Sequence, residues 1–420
     1  MEFLLLPFYL LVGYWFIPKL PFIKASDLST FQIRLLYTLK TLTGVAFAIY
    51  IKKTGINGDY TYFQNQGIEQ YHLLLKTPHL YFQDFIIDAK KFGFGRIFET
   101  DQSFWGFLSF NLLYKIIGIF NIFSLGNFYT NTLLFSSAVF FAHIAFYKVY
   151  SSLFPQNKKA ALIGCFLLPS TLVYTSCIHK DGFVFLAMAA IVYGLFQLNK
   201  VRQSKKKLFF VGMVGIGVTI IFLFRNYILL ALLPALLSWW LSSFLSRRKI
   251  LAFVGCYAIF ILFFFVSSHF QGSKNLPQAV INRSASFEQL AYGNTTISIN
   301  KLAPNALSFI KNLPQALNHV LLRPYVWEYK ELTIILTALE VLAYLIVFML
   351  FFICRKSQTN QTDRILLFGM FLFISMALII GYTIPNIGAI IRYRSIFWIL
   401  VVCPALCSID WAKLKSKVSF

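Results

Sequence analysis

The sequence is poor in acid. Asp and Glu number 15 against 38 Lys and Arg, and only 13% of its 420 residues are charged. Soluble domains carry about 25% charged residues, and a water-soluble fold of this size would not need 48 Phe. Cysteine is scarce as well: six residues, at 165, 177, 256, 354, 403 and 407, with no CxxC pair. Cys403 and Cys407 would share a helix face, but no His stands nearby to complete a metal site. The six therefore read as small buried hydrophobes. The first apolar stretch lacks a basic leader and a small-residue cleavage site, so it reads as a retained span rather than a signal peptide. There is no internal repeat and no low-complexity tract.

What is abundant is apolar sequence. The chain is 58% hydrophobic with a mean hydropathy of +0.69, which implies a polytopic membrane protein. Apolar segments fall near 3–20, 35–51, 128–150, 161–178, 182–199, 208–224, 227–245, 250–268, 332–354, 365–383 and 393–409. They imply an all-α membrane fold with about eleven transmembrane helices. One further stretch, 103–123, is apolar but carries Ser109, Asn111, Lys115 and Asn121.

The net charge is +23 and the pI about 9.7. The basic residues fall in short runs between apolar segments: `NKK` after 150, `KVRQSKKK` after 199, `RRK` after 245, `RKSQTNQTDR` after 354 and `KLKSK` after 409. Lys24, Arg34 and Lys40 are placed on an earlier link. This pattern fits the positive-inside rule and attraction to anionic lipid, not a nucleic-acid partner. The basic loops all fall on one side only if 103–123 does not cross. That stretch therefore reads as a helix lying in the outer interface, with Trp105 dipping into lipid. The N-terminus is then outside and the C-terminus cytoplasmic. Five regions follow: two transmembrane helices in 1–51, an extracytoplasmic loop with the interfacial helix in 52–127, and a six-helix bundle in 128–268. A second extracytoplasmic loop fills 269–331, and three helices with a cytoplasmic tail fill 332–420. The two long loops are rich in Tyr, Phe, Asn and Pro and read as ordered caps.

The stretch `LLPSTLVYTSCIHKDGFVFLAMAAIVYGLF`, 167–196, is too long for one span of about 20 residues. The chain should turn at His179, Lys180 and Asp181, on the outer side. Arg225 and Asn226 fall in the next outer hairpin, `FLFRNYILL`; Arg392 and Arg394 fall in `IPNIGAIIRYRS`. Arg323, Trp327 and Glu328 sit in `LLRPYVWEYKE`, and Asp59 in `NGDYTYF`. Several cations retained on the face where positive charge is disfavoured suggest an anionic ligand there.

Each residue has a plainer role to set beside that one. Lys180 could snorkel to the interface or pair with Asp181, and Asp181 could cap the next helix. His179 could be a satisfied surface histidine. Arg225 could anchor at the interface, or its planar fork could hold a diphosphate. Of Arg392 and Arg394, one could bind ligand while the other pairs with acid. Trp327 suits an aromatic belt, and Glu328 could cap a helix or pair with Arg323. Asp59 is either an ordinary turn residue or a partly desolvated general base. Glu69, Asp84, Asp88, Glu99 and Asp101 are rival acids, and Asp59 ranks first because it is nearest the membrane. Tyr60, Tyr62, Tyr292 and Trp327 could stack on sugar faces.

These features together resemble the GT-C superfamily of integral membrane glycosyltransferases, in particular divergent bacterial members found with surface-polysaccharide genes. The resemblance rests on the span count, the acid in the first large loop, the interfacial helix, the `PS…S…KD` hairpin and the closing `RYR`. It implies an enzyme of the bacterial inner membrane. That enzyme takes sugar from a polyprenyl-phosphate or polyprenyl-diphosphate donor on the outer side and passes it to a glycan or glycolipid acceptor. Asp59 would be the base or a ligand of a divalent metal. Lys180, Arg225, Arg323 and Arg394 would hold the lipid phosphate, with Arg392 beside them. His179, Asp181, Trp327 and Glu328 would support the site. Many members carry a second acid directly beside the first, where `GDY` offers one. Two rivals stay open: an O-antigen-type polymerase or ligase, and a lipid-linked oligosaccharide flippase or other transporter.

Overall fold

The computed structural model describes residues 2–55, 58–83, 91, 93–94, 103–245, 248–289, 295–355 and 360–418. It is 83% helical, and no strand occurs among the described residues. Eight of the described helices are long and apolar enough to cross a membrane, and a ninth counts if one bent pair is a single span. The chain is thus an all-α protein with several membrane-spanning candidates.

The spans are fewer than the eleven expected, for local reasons. The first apolar stretch is short, Leu4–Lys19. The expected span 161–178 is broken. Pro169 donates no N–H and pushes its predecessor out of the helical region, so one helix ends at Phe166 and a six-residue helix, Pro169–Tyr174, starts afresh. The expected hairpin at Arg225 is not a reversal. Asn226 (φ −52, ψ −33) and Ile228 (φ −63, ψ −25) keep helical dihedrals, and Ser204–Leu241 runs as one apolar stretch of 38 residues. The last expected span is the bent pair, Ile387–Ser395 and Ile399–Ser408, at 61°. Phe104–Ser124, read above as interfacial, is itself among the eight by length and hydropathy.

Two compact units divide the chain. The first is Met1–Val149, Cys165–Leu167 and Thr171–Asn226; the second is Tyr150–Gly164, Leu168–Ser170 and Tyr227–Phe420.

In the first unit, helix Thr30–Thr54 starts at a capping box. Gln32 N–H donates to Ser29 Oγ, and Ser29 N–H donates to the Gln32 side chain. It ends at Gly55, whose φ of 66° suits the left-handed C-cap. Helix Gly58–Lys76 lies close against Phe104–Ser124 because Gly67 has no side chain; a Cβ there would stand 2.2 Å from Ile117 Cγ2. Lys180–Lys200 pairs with Ser204–Arg225 in the same way, since a Cβ on Gly217 would be 2.8 Å from the Ala187 carbonyl oxygen. Small residues that let backbones approach are the usual device of helix packing in lipid.

In the second unit, helix Ala306–Leu321 packs on Asn360–Thr383. Tyr382 Oη donates to the Phe309 carbonyl at 2.8 Å, and a Cβ on Gly381 would meet the Ala316 carbonyl oxygen at 2.2 Å. Arg364 Nη2 donates to the Trp239 carbonyl at 2.8 Å and its Nε to Ser242 Oγ at 3.2 Å, tying the start of one helix to the end of another.

Candidate functional site

The turn expected at the `HKD` triplet is present. Helix Pro169–Tyr174 ends, and helix Lys180–Lys200 begins with His179 as its N-cap. The three side chains are not held out at a surface, however. His179, Lys180 and Asp181 are 2%, 8% and 0% exposed, so the outer-rim picture needs correction: the triplet is packed inside the first unit.

Asp181 organises it. Arg225 Nη2 donates to Asp181 Oδ1 at 2.6 Å. His179 Nδ1 lies 2.8 Å from Asp181 Oδ2 and 3.4 Å from the Asp181 backbone N–H. Nδ1 accepts the Asp181 N–H as the helix N-cap. Arg225 compensates the buried carboxylate, with the His179 ring against its other oxygen, and such compensation is the condition for burying the charge at all.

Aromatic rings cover this cluster. Tyr60 and Phe63 pack on His179 at 4.9 and 5.5 Å between centroids. Lys180 Nζ stands 3.1 Å from the Phe110 centroid, a cation–π contact. Phe63 and Tyr62 each touch Tyr114, at 5.9 and 6.3 Å. Phe183 stacks on Phe224 at 4.8 Å, next to Arg225.

Asp59 is the residue before Tyr60, in the first turn of helix Gly58–Lys76, where a negative charge meets the positive end of the helix dipole. Its side chain is exposed, so the partial desolvation expected of a base is absent in the free protein. Glu69 is also exposed. Asp84, Asp88, Glu99, Asp101 and Tyr292 lie outside the described residues.

The remaining candidates belong to the second unit. Arg394 is 2% exposed, and its Nη1 donates to the carbonyls of Val320 and Arg323 at the end of helix Ala306–Leu321. It acts there as a helix C-cap, a role the sequence did not suggest. Arg323 Nη2 pairs with Glu328 Oε1 at 2.7 Å, and Glu328 Oε2 accepts the Tyr325 N–H at 3.2 Å. The ion pair anticipated between these two residues is therefore present, within one turn. Trp327 is 83% exposed and stacks flat on Tyr325, 5.1 Å between centroids and 6° between planes. Arg392 is half-buried beside the Tyr393 ring. Burial, with Arg323 nearby, pushes the His319 imidazole down to about 4.

Two buried charges went unnoticed in the sequence. Lys40, expected on a link, lies within helix Thr30–Thr54 and is 1% exposed. Its Nζ donates to Thr175 Oγ1 at 2.6 Å and to the Leu172 carbonyl at 3.1 Å. Glu340 lies within helix Leu332–Ile353. Its Oε1 accepts from the Ser170 N–H at 3.0 Å, from Ser170 Oγ at 2.9 Å and from the Tyr344 hydroxyl. The available signal was a lone ionisable residue inside an apolar run, which in a membrane protein marks a functional candidate.

Among the described residues, no three His, Cys, Asp or Glu side chains converge as metal ligands. No family model matches the sequence, and no curated protein or solved structure is significantly similar to it.

Proposed function

We propose that this chain is a membrane glycosyltransferase of the bacterial inner membrane, acting on the extracytoplasmic face in surface-polysaccharide or glycoconjugate assembly. Its donor is a sugar on polyprenyl phosphate or diphosphate, and its acceptor a glycan or glycolipid hydroxyl. The observation that carries this reading is the buried His179–Asp181–Arg225 cluster, walled by Tyr60, Phe63 and Phe110, with Asp59 one residue from that wall. Aromatic faces suit sugar rings, and cations at a helix end suit a lipid-linked phosphate. The resemblance to GT-C enzymes supports the same chemistry.

In this mechanism the acceptor oxygen attacks the anomeric carbon from the face opposite the carrier. The bond from that carbon to the phosphate oxygen breaks, and the carrier leaves as polyprenyl phosphate or diphosphate. Asp59, covered and desolvated once the acceptor is bound, takes the hydroxyl proton. Lys180 balances the charge that develops on the leaving phosphate. Arg225 acts through Asp181, which fixes the His179 ring. Reconstituting the purified protein with a radiolabelled polyprenyl-phosphate sugar and looking for transfer to a glycolipid tests the reading. Donor left intact in every acceptor mixture would sink it.

One observation favours a second reading, transport of a lipid-linked glycan. Lys40 and Glu340 are buried within apolar helices, and transporters place charges and broken helices at that depth. Movement of a fluorescent lipid-linked sugar across proteoliposomes, without transfer, would select it.

A further inference from the structure

We propose that helix Ala306–Leu321 lies in the membrane interface, with its outer face seated between lipid headgroups and acyl chains.

The apolar residues of the helix form one broad face, buried along one edge and exposed along the other. Phe309, Ala316 and Val320 form the inner side, buried in the second unit. The outer side carries Leu307, 77% exposed, Ile310, 65% exposed, and Pro314, also exposed. Their spacing of three and seven residues puts these three on one stripe, beside the buried one. A helix wet on its outer face has no reason to hold Leu and Ile there. Ser308, Lys311, Asn312, Gln315, Asn318 and His319 share the remaining arc, and a helix with one broad apolar face and one polar face, its apolar face only partly covered by protein, suits a membrane interface.

Its place in the chain agrees. Tyr382 and Gly381, which hold Phe309 and Ala316, are among the last residues of the span Arg364–Thr383. The span Leu332–Ile353 starts shortly after the helix ends. The helix therefore sits level with the end of one membrane span and leads into the beginning of another. At 16 residues with Pro314 inside, it is not itself among the spans. Between it and Leu332 the exposed residues include the apolar Leu322, Val326 and Trp327, followed by the charged Lys330 and Glu331, and Trp is the residue most at home in the headgroup layer. Lys311, next to the outer stripe, is exposed and long enough to reach lipid phosphates from that depth. The occupant is thus the bilayer itself, and the assignment does not depend on the glycosyl-transfer reading.

Spin labels at single introduced cysteines test this in the full-length protein, in discs of phosphatidylcholine and phosphatidylglycerol. The six native cysteines are buried, so labelling is selective, and the substituted side chains lie off the buried face. Leu307→Cys and Ile310→Cys should collide with oxygen several-fold more than with a water-soluble nickel chelate. Ser298→Cys, exposed on the preceding segment, should show the reverse. Leu307 and Ile310 labels that favour the nickel chelate would mean a helix in water. Labels shielded from both reagents would mean that protein covers the face. Either result overturns the proposal. As a check free of labels, brominated lipid should quench the native fluorescence more than that of Trp327→Phe; equal fractional quenching contradicts it.

Discussion

Asp181 bridges two helices that are separate in sequence: its Oδ1 lies 2.6 Å from Arg225 Nη2 and its Oδ2 2.8 Å from His179 Nδ1. Because the carboxylate is fully buried, Arg225→Met takes away its guanidinium partner and leaves a cost. We expect a loss of about 3–5 kcal/mol, read as a fall in melting temperature in detergent. Asp181→Asn combined with Arg225→Met should recover part of it. An unchanged melting temperature in the single variant would show that the pair is not closed in the protein.

Asp59 is exposed, so its replacement should leave the fold intact. Asp59→Asn is expected to cost no more than about 1 kcal/mol, the worth of its charge at the helix N-terminus. Glycosyl transfer should fall roughly 10²–10⁴-fold, the range of a lost general base. Full transfer by this variant would instead favour a polymerase or ligase that works without an acid.

His319 gives a pH signature. Its folded-state value of about 4 lies below the ordinary value of 6.5, so the fold favours the neutral ring. The stability this provides is complete above about 6.5 and is lost progressively as pH falls toward about 4. Melting temperature should decline across that window, and the decline should be shallower in His319→Asn. Parallel profiles for the two proteins would refute the assignment.

Gly67→Ala probes the contact between Gly58–Lys76 and Phe104–Ser124. The new Cβ would stand 2.2 Å from Ile117 Cγ2, and overpacking of this kind costs about 1–3 kcal/mol. Pairing it with Ile117→Ala should restore stability. The helix also carries Tyr60 and Phe63, so the single variant should weaken transfer even where it folds.

Glu340→Gln keeps an acceptor for Ser170 and Tyr344 while removing the charge. Stability should change little. Transfer activity should persist if the protein is a glycosyltransferase, whereas a flippase that uses this carboxyl would lose flux in a proteoliposome assay.

The all-α membrane class and the turn before Lys180 were legible in the sequence, because both rest on hydropathy and segment length. So was the Arg323–Glu328 pair, which is local. The course of the chain at Arg225 differs from the expected hairpin. `FLFRNYILL` contains no Gly or Pro, and one Arg does not break a helix, so the dihedrals stay helical through Asn226. Lys40 was placed on a loop because a lone cation near the start of an apolar run looks the same whether it ends the run or is buried in it. Its acceptors, Thr175 and Leu172, are far away in sequence. Arg394 was read as a ligand because no pattern tells an arginine that caps a distant helix from one that meets substrate. Burial of the `HKD` triplet is likewise a property of what folds over it, here Tyr60, Phe63 and Phe110.

Ser204–Leu241, at 38 residues, would be about 57 Å long if straight, while the hydrocarbon layer is about 30 Å thick. No ordinary membrane matches it upright. The stretch has to lean, bend at residues 226–228, or thicken the lipid around it, and each response depends on acyl-chain length. Arg225 lies beside residues 226–228, so activity should depend on the chain length of the surrounding lipid.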